Sequence, residues 1–186
     1  MSASELDFST IYDTYQPKIL RYLSHFIGES EAEDLAQETF IKAHQSLGGF
    51  RGESQLSTWI YRIATNAALD KMRQPSFQRV EQVSISDEIV EAKISEGQKP
   101  PIEKELIRDE MNDCIRGYIE KLPEDYRVVL VLSEYEGLKN SEIAEILGVT
   151  LDTVKIRLHR AKTKLKEELE TNCEFYWVEE MPCSVK

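Results

Sequence analysis

The stretch Asn140–Lys166, NSEIAEILGVTLDTVKIRLHRAKTKLK, decides how the C-terminal half of this chain folds. Ile143, Ala144, Ile146 and Leu147 recur at helical spacing and predict one buried face on a short first helix. Gly148 follows as the residue best able to leave a helix with positive φ. Thr150 then reads as the N-cap of a second helix with Asp152 and Thr153 in its first turn. Val154, Leu158, Ala161 and Leu165 form the inward stripe of that helix, and Lys155, Arg157, His159, Arg160, Lys162, Lys164 and Lys166 occupy much of the remainder. Helix, glycine turn and basic second helix together predict a helix-turn-helix, which sets its second helix in the major groove of DNA.

Charge supports that reading. The 186 residues carry a formal net charge of −11, so a uniform distribution would repel phosphate. Positive charge is instead concentrated: residues 150–166 hold six lysines and arginines against the single Asp152. Screening over about 10 Å at ordinary salt lets such a patch act almost independently of the remaining acidic surface.

Working outward, the chain divides into two helical blocks. Ile11, Tyr15, Ile19, Tyr22, Leu23 and Phe26 predict a first amphipathic helix ending near Gly28, with Pro17 either kinking it or restarting it. A second helix from about Ser30 turns Ala32, Leu35, Ala36, Phe40, Ile41 and Ala43 toward the core. LGGFRGES, residues 47–54, is a glycine-rich loop, and Ser57 is the expected cap of a third helix that ends before Pro75. Trp59 reads as core beside Ile60, Ile63 and Ala67, with a base-stacking platform as the alternative.

Residues 75–101 break the pattern and close on Pro100-Pro101, which predicts a linker with a short helix around Asp87–Ile94. The second block then supplies helices over about 102–121 and 124–135 before the helix-turn-helix. The expected fold class is all-α: two small helical domains joined by a flexible linker, the C-terminal one containing the helix-turn-helix. The boundaries are 1–74, 75–101, 102–170 and a cysteine- and aromatic-bearing tail at 171–186.

Catalytic motifs are missing from the sequence. It contains no GxxxxGK[ST], HExxH or GxSxG, and its three histidines are scattered among helices, so the chain does not read as an enzyme and no cofactor is expected. Three cysteines in a chain without a secretion-like start argue against a disulfide framework. Cys173 and Cys183 do not have a zinc-ligand spacing, so no metal site is expected. No apolar run approaches the roughly 20 residues of a membrane span, so membrane insertion is not expected and the expected location is the cytoplasm.

Residues 34–73, DLAQETFIKAHQSLGGFRGESQLSTWIYRIATNAALDKMR, resemble the second conserved region of bacterial RNA polymerase sigma factors of the extracytoplasmic-function (ECF) group. Residues 122–170, LPEDYRVVLVLSEYEGLKNSEIAEILGVTLDTVKIRLHRAKTKLKEELE, resemble region four of the same group. The pair in this order, separated by a linker, is far more specific than either motif alone.

The resemblance implies that Asp34, Gln37, Glu38, Ile41 and Lys42 dock on core RNA polymerase, at the β′ clamp, with further contacts to the β subunit. It implies that Gly49, Phe50, Arg51, Gly52, Glu53 and Ser54 line a pocket for an unstacked base of the −10 promoter element, where glycines let backbone donors come close. Arg62, Asn66, Lys71 and Arg73 would serve the upstream edge of that element. Thr153, Lys155, Ile156, Arg157, His159 and Arg160 would read the −35 element, arginine offering a bidentate fork to guanine, while Lys162, Lys164 and Lys166 hold phosphate. Promoter DNA and an anti-sigma factor complete the implied partners. Two other classes stay open on residues alone: a free-standing helix-turn-helix regulator with an N-terminal dimerisation or sensing domain, and an interaction adaptor.

Overall fold

A computed structural model describes residues 7–50, 52, 54–75 and 115–172. The expected linker from residue 76 onward, with Asp87–Ile94, the start of the second block through residue 114, the cysteine-bearing tail beyond residue 172, Arg51 and Glu53 lie outside the described residues.

Helix α1, Phe8–Ile27, starts at Asp7, whose carboxylate accepts the Ser9 N–H at 3.3 Å. It runs unbroken through Pro17, which lies on the exposed face, where a carbonyl lacking its usual donor can turn to water. Gly28 at φ 76° then reverses the chain in a single residue, a backbone state that L side chains rarely adopt. Helix α2, Glu29–Ser46, buries Ala32, Leu35, Ala36, Thr39, Phe40 and Ala43 against α1. Ile41 departs from the expected inward face: it is 57% exposed, because one step of about 100° from buried Phe40 carries it out of the stripe.

After a 3₁₀ turn at Leu47–Gly49 the chain enters helix α3, Leu56–Met72. Its N-cap is Gln55, not Ser57, which falls inside the first turn. Leu56 packs against the core and draws the helix start back. Ile60, Ala64, Ala67 and Ala68 bury the inner face of α3.

The C-terminal unit opens with helical residues 115–120 and a turn at Leu122. Helix α4, Glu124–Leu130, carries Glu124 and Asp125 in its first turn, where the helix dipole favours negative charge. The expected helix over 124–135 is realised as α4 running into a π-helical turn, Val131–Tyr135, closed by the Glu136 N–H donating to the Val131 carbonyl at 3.2 Å. Such widened turns interrupt regular packing and favour functional positions. Gly137, at φ 64°, frees the chain for helix α5, Asn140–Leu147. Gly148, left-handed as expected at φ 65° and ψ 32°, leads to helix α6, Leu151–Asn172.

Among the described residues there is no strand. The buried side chains of both units form one continuous apolar cluster, α3 lying against α5 and α1 against the π turn. The sequence carries no signal for this docking of one unit on the other.

Candidate nucleic-acid and partner interfaces

The start of α6 is built by its own threonines. The Thr150 hydroxyl accepts the Thr153 N–H at 3.2 Å, the cap expected from sequence, and the two hydroxyls lie 2.8 Å apart. Val154 and Ala161 are fully buried and hold the helix down, with Leu158 and Leu165 half-buried beside them. The opposite face presents Lys155, Ile156, His159, Arg160, Lys162, Lys164 and Lys166 to solvent.

Two of the expected readers have partners within their own unit. Thr153 is half-buried in the cap, and Arg157 turns back to Asp125 at 2.7 Å. Lys162 reaches Glu134 at 2.9 Å, and that hydrogen bond holds the Glu134 carboxyl below the usual carboxylate range. Lys155 and Asp152 make a longer, exposed pair at 3.6 Å.

Two basic residues on and just after α3 meet the other unit instead. Arg62 donates to the Glu145 carbonyl of α5, and Arg73 pairs with Glu124 at 2.6 Å. Lys71 pairs with Glu31 of α2 at 2.9 Å, while Asn66 stays exposed.

Between these pairs lies a contact with no motif to announce it. The Glu136 carboxylate, 2% exposed, accepts from the Arg21 guanidinium at 3.1 and 3.2 Å and from the Tyr61 hydroxyl at 2.5 Å. Burial, and then the bond to Glu136, push the Tyr61 phenol well above its ordinary range. Tyr61 is tied further inward: its carbonyl accepts the Thr65 hydroxyl at 2.7 Å, leaving Tyr22 to donate to Thr65 at 2.8 Å. Arg127, 5% exposed, crosses the same junction, its guanidinium 3.7 Å from the Met72 sulfur and 5.8 Å from the centre of the Phe26 ring.

In the glycine loop, the Phe50 N–H donates to the Leu47 carbonyl at 3.0 Å, and its ring lies 5.1 Å from half-buried Trp59. A Cβ added at Gly48 or Gly49 would meet nothing within 4 Å, so packing does not require glycine there. Gly52 has φ 71° and is exposed, and Ser54 is half-buried. On α2, Asp34, Gln37, Glu38, Ile41 and Lys42 are all exposed along one face. A shallow groove beside them, between α1 and α2, is lined by Tyr12, Gln16, Leu20, Glu33, Ala36 and Gln37. Among the described residues no cluster of three or more metal-ligating side chains occurs, and no helix is long and apolar enough to cross a membrane.

An exposed acidic and apolar face on one helical unit, followed by a helix-turn-helix whose second helix turns a largely exposed basic face to solvent, suits a protein partner on one side and nucleic acid on the other. Comparison with known proteins takes this further. The family model for Sigma-70 region 2 matches residues 11–77, and that for Sigma-70, region 4, matches residues 112–165. The RNA polymerase sigma-H factor of Pseudomonas aeruginosa is 35% identical over 88% of this chain and 86% of its own length. The ECF RNA polymerase sigma factor SigW of Bacillus subtilis is 35% identical over 87% of this chain and 88% of its own. The solved sigma factor RpoE, in complex with the anti-sigma factor NepR from Bartonella quintana, superposes with a TM-score of 0.64 at 25% identity, covering 89% of this chain and 98% of that one. This chain therefore belongs to the sigma-70 family of RNA polymerase sigma factors, in its ECF group. The free-standing regulator is not favoured by these matches.

Proposed function

We propose that the N-terminal unit binds core RNA polymerase through Asp34, Gln37, Glu38, Ile41 and Lys42 at the β′ clamp, and that the two units divide the promoter between them. The exposed basic face of α6 carries this reading: Lys155, His159 and Arg160 stand clear on a helix anchored at Val154 and Ala161, where a duplex can approach. Arg160 suits a guanine edge, and Lys162, Lys164 and Lys166 suit phosphate. Thr153, Ile156 and Arg157 complete the −35 set, and in the chain without DNA Arg157 and Thr153 also hold α6 in place through Asp125 and the Thr150 cap.

The loop after α2 takes the unstacked −10 base against Phe50, and Arg62, Asn66, Lys71 and Arg73 hold the upstream edge of that element. Glycines at 48 and 49 that packing does not demand fit a surface left open for a ligand's close approach. The chain works as an initiation factor in the cytoplasm, without catalysis of its own, and an anti-sigma factor controls it.

Run-off transcription of fragmented host genomic DNA by core polymerase, with and without the chain, tests the assignment. Discrete new starts that share two upstream elements are the expected result. Folded protein that binds duplex DNA alone yet yields no new starts would return the assignment to a regulator.

A further inference from the structure

Leu151 and Ile156, in the first turns of a basic helix, are 42% and 51% exposed. At about 100° per residue Ile156 stands near the middle of the outward face of α6, beside Lys155, His159 and Asp152, whereas Leu151 lies at the edge of the buried stripe, about 20° from Leu158, with part of its side chain still in solvent. The apolar group that a base pair offers in the major groove is the thymine C5-methyl. We infer that Ile156 and Leu151 contact thymine methyl groups in the −35 element, giving this sigma factor an apolar component of promoter choice beside its arginine and lysine contacts. The inference rests on the −35 assignment proposed above.

Deoxyuridine isolates the methyl, because replacing thymine with it deletes that group and leaves base pairing intact. With a promoter found by run-off, each thymine of the −35 element on either strand is replaced in turn, and binding of reconstituted holoenzyme is measured by competition. Loss of about fourfold is expected at one or two positions, as burial of one methyl implies. Ile156→Ser should abolish the sensitivity at one position, and Leu151→Ser at another if two respond. A −35 element without thymine, uniform insensitivity to deoxyuridine, or sensitivity that survives both substitutions overturns the inference while leaving the sigma assignment intact. Absence of promoter-specific starts overturns both.

At the junction of the two units, a different set of contacts points to a self-closing latch. The geometry assigns Glu136 as its centre: a carboxylate with a 2% exposed side chain, gripped by Arg21 and Tyr61 from the other half of the chain. The same closure occupies Arg62 with the Glu145 carbonyl and Arg73 with Glu124, two of the four basic or amide residues proposed for the −10 element. Protein acceptors on the C-terminal unit thus stand where DNA phosphate would have to bind. In the closed chain α3 cannot meet a promoter, so polymerase binding must separate the units and free these arginines.

Small-angle scattering of the full chain and its affinity for core polymerase test the latch together. Glu136→Gln should enlarge the radius of gyration and tighten polymerase binding severalfold, with unchanged helical circular dichroism. If that variant unfolds, Arg21→Gln, at a position 59% exposed, is expected to give the same two changes. The exchange Arg21→Glu with Glu136→Lys should restore the compact form. A folded variant with unchanged radius and affinity, or with weaker polymerase binding, overturns the latch.

Discussion

The two surfaces proposed to meet DNA carry the same kinds of side chain in opposite circumstances. On α6, His159, Arg160 and Lys164 face solvent, and the intramolecular pairs of Lys155 and Lys162 are exposed. On α3, Arg62 and the adjoining Arg73 are engaged by the C-terminal unit, and Lys71 by α2. Basic composition therefore says little about readiness to bind nucleic acid. What differs is the neighbour: α6 lies over α4 and α5 with its outer face bare, whereas α3 lies between its own bundle and α5.

The sharpest contrast is the same kind of side-chain truncation made on both helices. Ile60→Ala on α3 removes a fully buried side chain and should cost about 2–5 kcal/mol of stability in urea denaturation. Ile156→Ala on α6, half exposed, should stay within about 0.5 kcal/mol. A comparable loss at both sites would mean that α6 is covered in solution.

Carboxylates give the next contrast. Glu136→Ala leaves the buried Tyr61 hydroxyl without its acceptor and Arg21 without its counter-ion, and should cost on the order of 2 kcal/mol. Glu134→Ala breaks the Lys162 pair, both partners about half exposed, and the hydrogen bond from the neighbouring Ser133 hydroxyl, and should cost about 1 kcal/mol. Equal losses would place the junction in water. Smaller still is the effect of Lys164→Gln: a weakening of promoter binding nearly independent of sequence, with the salt slope reduced by about 1. An altered −35 preference would instead make Lys164 a base reader.

Much of this architecture is legible in the chain because local chemistry specifies it. Gly148 and Thr150 mark the turn and cap of the helix-turn-helix, and Val154, Leu158, Ala161 and Leu165 line the buried side of α6 as their spacing predicts. The exceptions are tertiary. The sequence predicts Ser57 as the cap, whereas the helix start follows where Leu56 packs and Gln55 takes the cap position. Ile41 sits beside apolar neighbours in sequence yet faces outward, which suits its proposed docking role better than the core role its spacing suggested. The pairing of Arg157 with Asp125, from the first turn of α4, has no sequence signal either. Glu136 is the extreme case: one glutamate among many in an acidic chain, distinguished only because the π turn delivers it to Arg21, 115 residues away. The one available signal, an arginine on the polar side of α1, is too common to single out.

Protonation provides the finest probe of that junction. His25 is 6% exposed and its ring centre lies 4.3 Å from that of Tyr135 of the π turn, the two planes tilted by 55°. Burial lowers its pKa below the ordinary histidine value, nearby Arg116 and Arg21 add to the lowering, and Glu136 opposes it. The folded chain therefore prefers neutral His25, and the unfolded chain binds the proton more readily. Stability from this group is present above the unfolded value of about 6.5 and is lost as pH falls toward the lower folded pKa. Thermal midpoints measured between pH 7.5 and 5.5 should decline on the acid side for the native chain and decline less for His25→Gln. Arg116→Gln removes one repelling charge, brings the folded pKa closer to the unfolded one and should make the decline shallower. If the His25→Gln variant instead follows the native curve throughout, the acid response arises from carboxylates elsewhere, and the histidine at the junction is a packing residue whose charge state the fold does not feel.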